Sequence, residues 1–117
     1  MKTGDLIEKP WGWERILDLN DRYCVKQLFV EEGKRLSLQY HQVKRETLVL
    51  MSGAADLVLN GPDGTDTAIL MEVGEAHIIE PGMVHRIVGI AKEGALILEA
   101  STPEVDDIVR IQDDFGR

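Results

Sequence analysis

The sequence of 117 residues holds a single cysteine, so no disulfide can form within the chain, and the apolar neighbours of Cys24 mark it as a core side chain without chemistry. Long apolar runs are also missing, and none approaches the length of a membrane span. The opening stretch MKTGDLIEKPWGWE places charges where a secretory signal needs an unbroken apolar segment, so a soluble, cytoplasmic protein is expected. Positive charge is in the minority: 13 basic against 21 acidic side chains give a formal charge of −8. Such a chain repels phosphate backbones and anionic lipid at long range, which argues against nucleic acid and membrane as partners. No glycine-rich phosphate loop, GxSxG elbow, internal repeat or low-complexity tract occurs. Any chemistry must come from scattered side chains.

What is present is a series of short runs rich in β-branched and aliphatic residues: WERILDL, RYCVKQLFV, RLSLQYH, ETLVLM, ADLVLN, DTAILMEV, AHIIE, HRIVGIA, ALILEAS and DIVRIQ. Turn-forming pairs separate them, among them Asn20-Asp21, Glu32-Gly33, Ser52-Gly53, Gly74-Glu75, Pro81-Gly82 and Glu93-Gly94. Spacing of about ten residues predicts an all-β single domain over residues 1–117, closed or double-sheeted so that few strand edges stay bare. Only STPEVDD suggests a helical turn, with Thr102 as cap and Pro103 at the first position.

One run is polar where a buried strand should be apolar. In LSLQYHQVKRE, strand alternation puts Gln39 and His41 on one face with Arg35 and Ser37, and Leu36, Leu38 and Tyr40 on the other. Read from Gly33, the chain gives Gln39, His41, Glu46 and Gly53 at the spacing of the first cupin motif, with glutamine in place of its first histidine. The later stretch GEAHIIEPGMVHRIVG, with Gly74, Pro81-Gly82 and His85, resembles the second motif, although Gly89 stands where asparagine is usual. The fold implied is the cupin double-stranded β-helix, a jelly-roll barrel. KPWGWERIL, DRYCVKQ, GKRLSLQYH and DDIVRIQDDFGR narrow the resemblance to the cupin domain of type II mannose-6-phosphate isomerases.

That resemblance implies a metal held by Gln39, His41, Glu46 and His85. Two imidazoles and a carboxylate suit a divalent transition metal, zinc first, then manganese, iron or nickel, and a glutamine carbonyl adds a weak oxygen ligand. The competing reading makes His41 and His85 hydrogen-bonded core histidines and Glu46 a solvated strand end. His77 matches neither motif and receives no role. An aldose–ketose isomerase also needs a base, for which the resemblance offers Glu99, and a grip on phosphate, for which Arg35 and Arg110 are candidates through bidentate hydrogen bonding. The type II isomerases read LQxHxHRxEHW, whereas here Val43 stands at the second histidine and Thr47-Leu48 at the histidine–tryptophan pair. A valine neither binds metal nor moves protons. Bifunctional relatives carry a nucleotidyltransferase domain of which these residues hold nothing, so sugar-nucleotide synthesis is not expected of them. Three readings follow: a sugar-phosphate isomerase, a non-catalytic metal- or carbohydrate-binding cupin, and a metal cupin with oxygenase-type chemistry. If Leu36, Leu38 and Tyr40 face outward, they form an apolar patch that a homodimer would cover.

Overall fold

The computed structural model describes all 117 residues and contains strands and turns without a helix. The eleven strands are β1 (Leu6–Lys9), β2 (Gly12–Leu19), β3 (Cys24–Val30), β4 (Leu38–Tyr40), β5 (Glu46–Gly53), β6 (Ala55–Asn60), β7 (Asp66–Leu70), β8 (Ala76–Ile79), β9 (Val84–Gly89), β10 (Ala95–Ser101) and β11 (Val109–Gln112). They build a six-stranded sheet in the order β1-β2-β3-β10-β5-β8 and a five-stranded sheet in the order β11-β4-β9-β6-β7. All pairings between these strands are antiparallel. No helix is long and apolar enough to cross a membrane.

Strand alternation decides what faces the interior. Along β3, Cys24, Lys26, Leu28 and Val30 point inward while Val25, Gln27 and Phe29 point out. Along β10 the inward set is Ala95, Ile97, Glu99 and Ser101. Leu28, Val30, Leu48, Leu50, Leu57, Ile79, Ile87 and Ile97 pack between the sheets as one hydrophobic cluster. Two glycines allow close backbone contacts at this end. Gly53, the last residue of the first motif, has φ +81°, and a Cβ there would lie 1.9 Å from the Gly94 carbonyl oxygen. At Gly89, where the second motif has asparagine, a Cβ would lie 2.5 Å from the carbonyl oxygen of Glu31.

Four expectations need correction. An eleventh strand, β1, pairs with β2 from Leu6↔Arg15 to Lys9↔Gly12; its mixed LIEK sequence hid it. Strand β4 is only three residues long: the chain before it meets β9 at an isolated Arg35↔Val88 bridge, with bonds from Gly33 N to the Gly89 carbonyl, from Gly89 N to the Lys34 carbonyl and from Leu36 N to the Ile87 carbonyl. The helical turn in STPEVDD does not form. The Thr102 hydroxyl accepts from Arg45 N instead of capping a helix, and Thr102 N donates to the Arg45 carbonyl, both at 3.0 Å. Finally, Leu36, Leu38 and Tyr40 are not a bare patch: Leu38 is 7% exposed within the single chain, Leu36 packs against the core, and Tyr40 is half-buried. Strand parity does not hold ahead of Leu38, where the chain is not regularly paired.

Candidate metal centre

The polar residues of LSLQYHQVKRE reach the interior at one end of the barrel. Gln39 lies on β4 directly opposite His85 on β9; His41 follows β4, and Glu46 opens β5. All four are buried and line one cavity of about 290 Å³, at the small end of the ~300–1,000 Å³ typical of ligand sites. Ligand atoms of His41, Glu46 and His85 lie within 4.8 Å of one another. The Gln39 amide nitrogen donates to the Ser37 carbonyl and hydroxyl at 3.2 and 3.1 Å, which leaves its carbonyl oxygen free of that contact.

Hydrogen-bond arithmetic tests whether this set suits a cation. Each imidazole turns Nδ1 to a main-chain carbonyl, His41 to Asp107 and His85 to Met83 at 2.8 Å. A carbonyl only accepts, so each Nδ1 carries a hydrogen and each Nε2 of a neutral ring is a lone pair. Both Nε2 atoms face Glu46 Oε1, at 3.3 and 3.0 Å. Three electron-rich atoms converge this closely only around a positive charge, a proton or a metal ion, and two imidazoles with a carboxylate are the donor set that suits a divalent transition metal. The residues present fit the group. Burial opposes protonation of His41, but the hydrogen bond and charge of Glu46 outweigh it and hold the ring above the ordinary imidazole value. Burial likewise opposes the Glu46 charge, yet the two histidines and Lys44 hold it well below the ordinary carboxylate range.

Behind this set runs a chain of alternating charges that the sequence reading missed. Lys44 Nζ lies 3.4 Å from Glu46 Oε2 and 3.1 Å from Glu99 Oε2. Lys26 Nζ lies 3.6 Å from the same Glu99 oxygen and 3.4 Å from Glu14 Oε2. Glu99 Oε2 nevertheless makes no directed hydrogen bond, so the lysines hold it by charge. Burial, and then the charge of Glu46, push the Glu99 carboxyl above its ordinary value. Burial disfavours both ammonium ions, but Glu99 with Glu14 for Lys26, and Glu99 with Glu46 for Lys44, keep them charged. Lys26 was legible in principle, as a charged residue at the inward parity of β3 between Cys24 and Leu28. Lys44 sits in a loop and gave no such signal.

The arginines divide differently from the expectation. Arg35 is a correction: it lies outside the cavity lining, two-fifths exposed, with Nε 2.7 Å from Asp114 Oδ2. Arg110, opposite Gln39 across β11 and β4, stands at the cavity rim. Arg86, next to His85, was missed. It is buried, lines the cavity, and donates from Nε to the Leu36 carbonyl at 3.0 Å and from Nη1 to Gln112 Oε1 at 3.4 Å. Its Nη2 is buried with no partner.

The motif departures also have places. Val43 is 63% exposed and lies outside the cavity lining. Thr47 faces the outer side of β5, while Leu48 is buried and lines the cavity. His77, on β8, is half-buried and away from the lining; its Nε2 is buried without a partner. Cys24 is buried and free.

Comparison with known proteins bears on the family and the fold. Residues 1–113 match the family described as mannose-6-phosphate isomerase C-terminal. The chain is 31% identical over 115 residues to the mannose-1-phosphate guanylyltransferase ManC of Salmonella typhimurium, covering 95% of this chain and 23% of that protein. It is 31% identical over 114 residues to the alginate biosynthesis protein AlgA of Pseudomonas aeruginosa, again 95% of this chain and 23% of the relative. The chain thus spans about a quarter of the length of these relatives. Among solved structures, the capsular polysaccharide assembling protein CapF of Staphylococcus aureus superposes with a TM-score of 0.80 at 15% identity, over 93% of this chain and 34% of that one. An oxalate decarboxylase of Bacillus subtilis does so at 0.77 and 15%, over 92% and 30%. The fold is the cupin jelly roll that the motif spacing implied.

Proposed function

Because the chain belongs to the mannose-6-phosphate isomerase C-terminal family, of cupin type, we propose that it is a metal-dependent sugar-phosphate isomerase of the mannose 6-phosphate/fructose 6-phosphate kind, working in the cytoplasm. The observation that carries the reading is the convergence of His41 Nε2, His85 Nε2 and Glu46 Oε1 beside the buried carboxyl of Glu99.

His41, Glu46 and His85 would hold the divalent ion, with Gln39 adding its carbonyl, and zinc is the first candidate, ahead of manganese, iron and nickel. Such an ion supplies Lewis acidity to the sugar carbonyl and the neighbouring hydroxyl. Glu99 takes the proton from C2 of the aldose and returns it to C1, while the hydroxyl proton passes from the C2 oxygen to the C1 oxygen. Its place in the cavity lining, with Lys44 between it and Glu46, suits it to that role. Lys44 offsets the charge that gathers beside it, 3.1 Å away. The unpartnered Arg86 Nη2, with Arg110 at the rim, offers N–H donors to the phosphate.

Elemental analysis of purified protein followed by a coupled assay on mannose 6-phosphate and fructose 6-phosphate tests the reading. Bound metal with turnover is the expected result. Bound metal without turnover moves the protein to the binding reading, or to oxygen chemistry on the same two histidines and one carboxylate, and a metal-free, inactive protein overturns the proposal.

The proposal includes a homodimer, on a different face from the one β4 suggested. On the outer side of the six-stranded sheet, Val25 and Phe29 of β3, Leu96 and Leu98 of β10, Val49 and Met51 of β5 and Ile78 of β8 form an uncharged block on an otherwise acidic chain. Strand spacing of ~4.8 Å and a rise of ~3.3 Å per residue give the four strands from β3 to β8 an area of roughly 400 Å². That is the size of an interface core within a standard contact of about 800 Å² per partner. Two chains of net charge −8 meet most easily where neither carries charge. Sedimentation should show a dimer at micromolar concentration and a monomer for Leu98→Glu; a monomeric native protein contradicts it.

A further inference from the structure

The loop Gln42–Arg45 lies between the ligands His41 and Glu46 and has no strand pairing of its own. Its fixed shape has another source. Gln42 N donates to Asp107 Oδ1 at 3.0 Å, and Val43 N and Lys44 N donate to Asp107 Oδ2 at 2.7 and 2.8 Å. The main-chain carbonyl of the same residue accepts from His41 Nδ1. Three successive amides that point the same way repel one another unless an anion collects them, and here one carboxylate does so from the connection between β10 and β11. Charge-assisted bonds of this kind are about twice as strong as neutral ones.

We propose that Asp107 is the positioning residue of the metal centre: its carboxylate sets the path of the 42–44 backbone, and its carbonyl sets the tautomer and direction of His41. This extends the metal reading above and rests on it. The pinned loop sends Val43 out to solvent and Lys44 inward to Glu46 and Glu99. One residue more than sixty positions along the chain therefore orders a ligand on one side of the loop and the site's lysine on the other. Val105, Ile108 and Arg110 of the same segment line the cavity. Metal binding and order in the 106–112 segment are then linked, and linkage of this kind acts in both directions.

The test compares Co²⁺ affinity, by competition with a chelator, for wild type, Asp107→Asn and Thr102→Ala. Asp107→Asn keeps the shape but turns an amide N–H toward backbone N–H groups. It should weaken Co²⁺ binding tenfold or more, the usual cost of losing an outer partner of a metal-binding histidine loop. Thr102→Ala removes the neighbouring pin on Arg45 without touching His41, and should bind within about twofold of wild type. Hydrogen exchange on the metal-free proteins supplies a second readout: amides 42–44 should be protected in wild type and exposed in Asp107→Asn. If that variant does not fold, wild type alone decides, since added Co²⁺ should slow exchange both at 42–44 and in 106–112. Equal Co²⁺ affinity in Asp107→Asn and wild type, or no Co²⁺ effect on the 106–112 amides, overturns the role of Asp107. Wild type that takes up no Co²⁺ fails differently, because it removes the metal reading itself.

Discussion

Within the same strands, the two ends of the barrel are buried equally and stabilised differently. On β10, Ile97 is 0% exposed and Glu99, the next inward residue, only 4%. The same step recurs on β3 from Leu28 to Lys26 and on β5 from Leu48 to Glu46. At the apolar end, burial is favourable in proportion to area, roughly 25 cal/mol per Å². At the charged end each group loses water and is tolerated only because its neighbours alternate in sign, Glu14, Lys26, Glu99, Lys44, Glu46. A stretch of barrel so expensive to fold is retained for what it holds, which is why perturbed groups in a cleft point to function.

The comparison is sharpest if one charge is removed. Lys26→Met has a similar volume and is apolar, yet it leaves Glu14 and Glu99 facing each other with their shared cation gone. We expect a loss of about 3–5 kcal/mol in urea unfolding, with part of it recovered by adding Glu99→Gln. Unchanged stability in the single variant would mean that the charges are not coupled. Leu50→Ala, at the apolar end, should cost a similar or slightly smaller ~2–5 kcal/mol through lost contact and a cavity. No second substitution of a polar group should restore it, and recovery by Glu99→Gln would erase the distinction between the ends.

Smaller effects separate the arginines. Arg86→Lys keeps the charge but loses the fork whose Nη2 is free, and calorimetry should show binding of a hexose 6-phosphate weakened about tenfold, a change of ~1.4 kcal/mol. Arg35→Lys alters an exposed pair with Asp114 and should leave that affinity within about twofold, as surface pairs contribute little. The reverse order would return the phosphate to Arg35.

Much of this protein was legible along the chain. Alternation and turn residues marked ten of the eleven strands, and ADLVLN and ALILEAS coincide with β6 and β10 end to end. That Gln39, His41, Glu46 and His85 share one site was implied by the resemblance to the two cupin motifs, whereas strand parity alone put only Gln39 and His41, two apart, on a common face. Arg35 shows the limit of the same rule: parity carries a side chain to a known face only while the strand is regular, and β4 begins at Leu38.

Only the tertiary structure could show the rest. The alternation of Glu14, Lys26, Glu99, Lys44 and Glu46 exists because β2, β3, β10 and β5 lie side by side, though far apart in sequence. Arg86 is held with its Nη2 unpartnered because Leu36 and Gln112, fifty and twenty-six positions away, accept from its Nε and Nη1. Asp107 looks like one more acid in an acidic tail until the fold brings it under the amides of Gln42, Val43 and Lys44. Period and spacing fix which face a residue presents; which charges meet across that face depends on sheet order and on how the connections return, and those follow from burying the whole core at once.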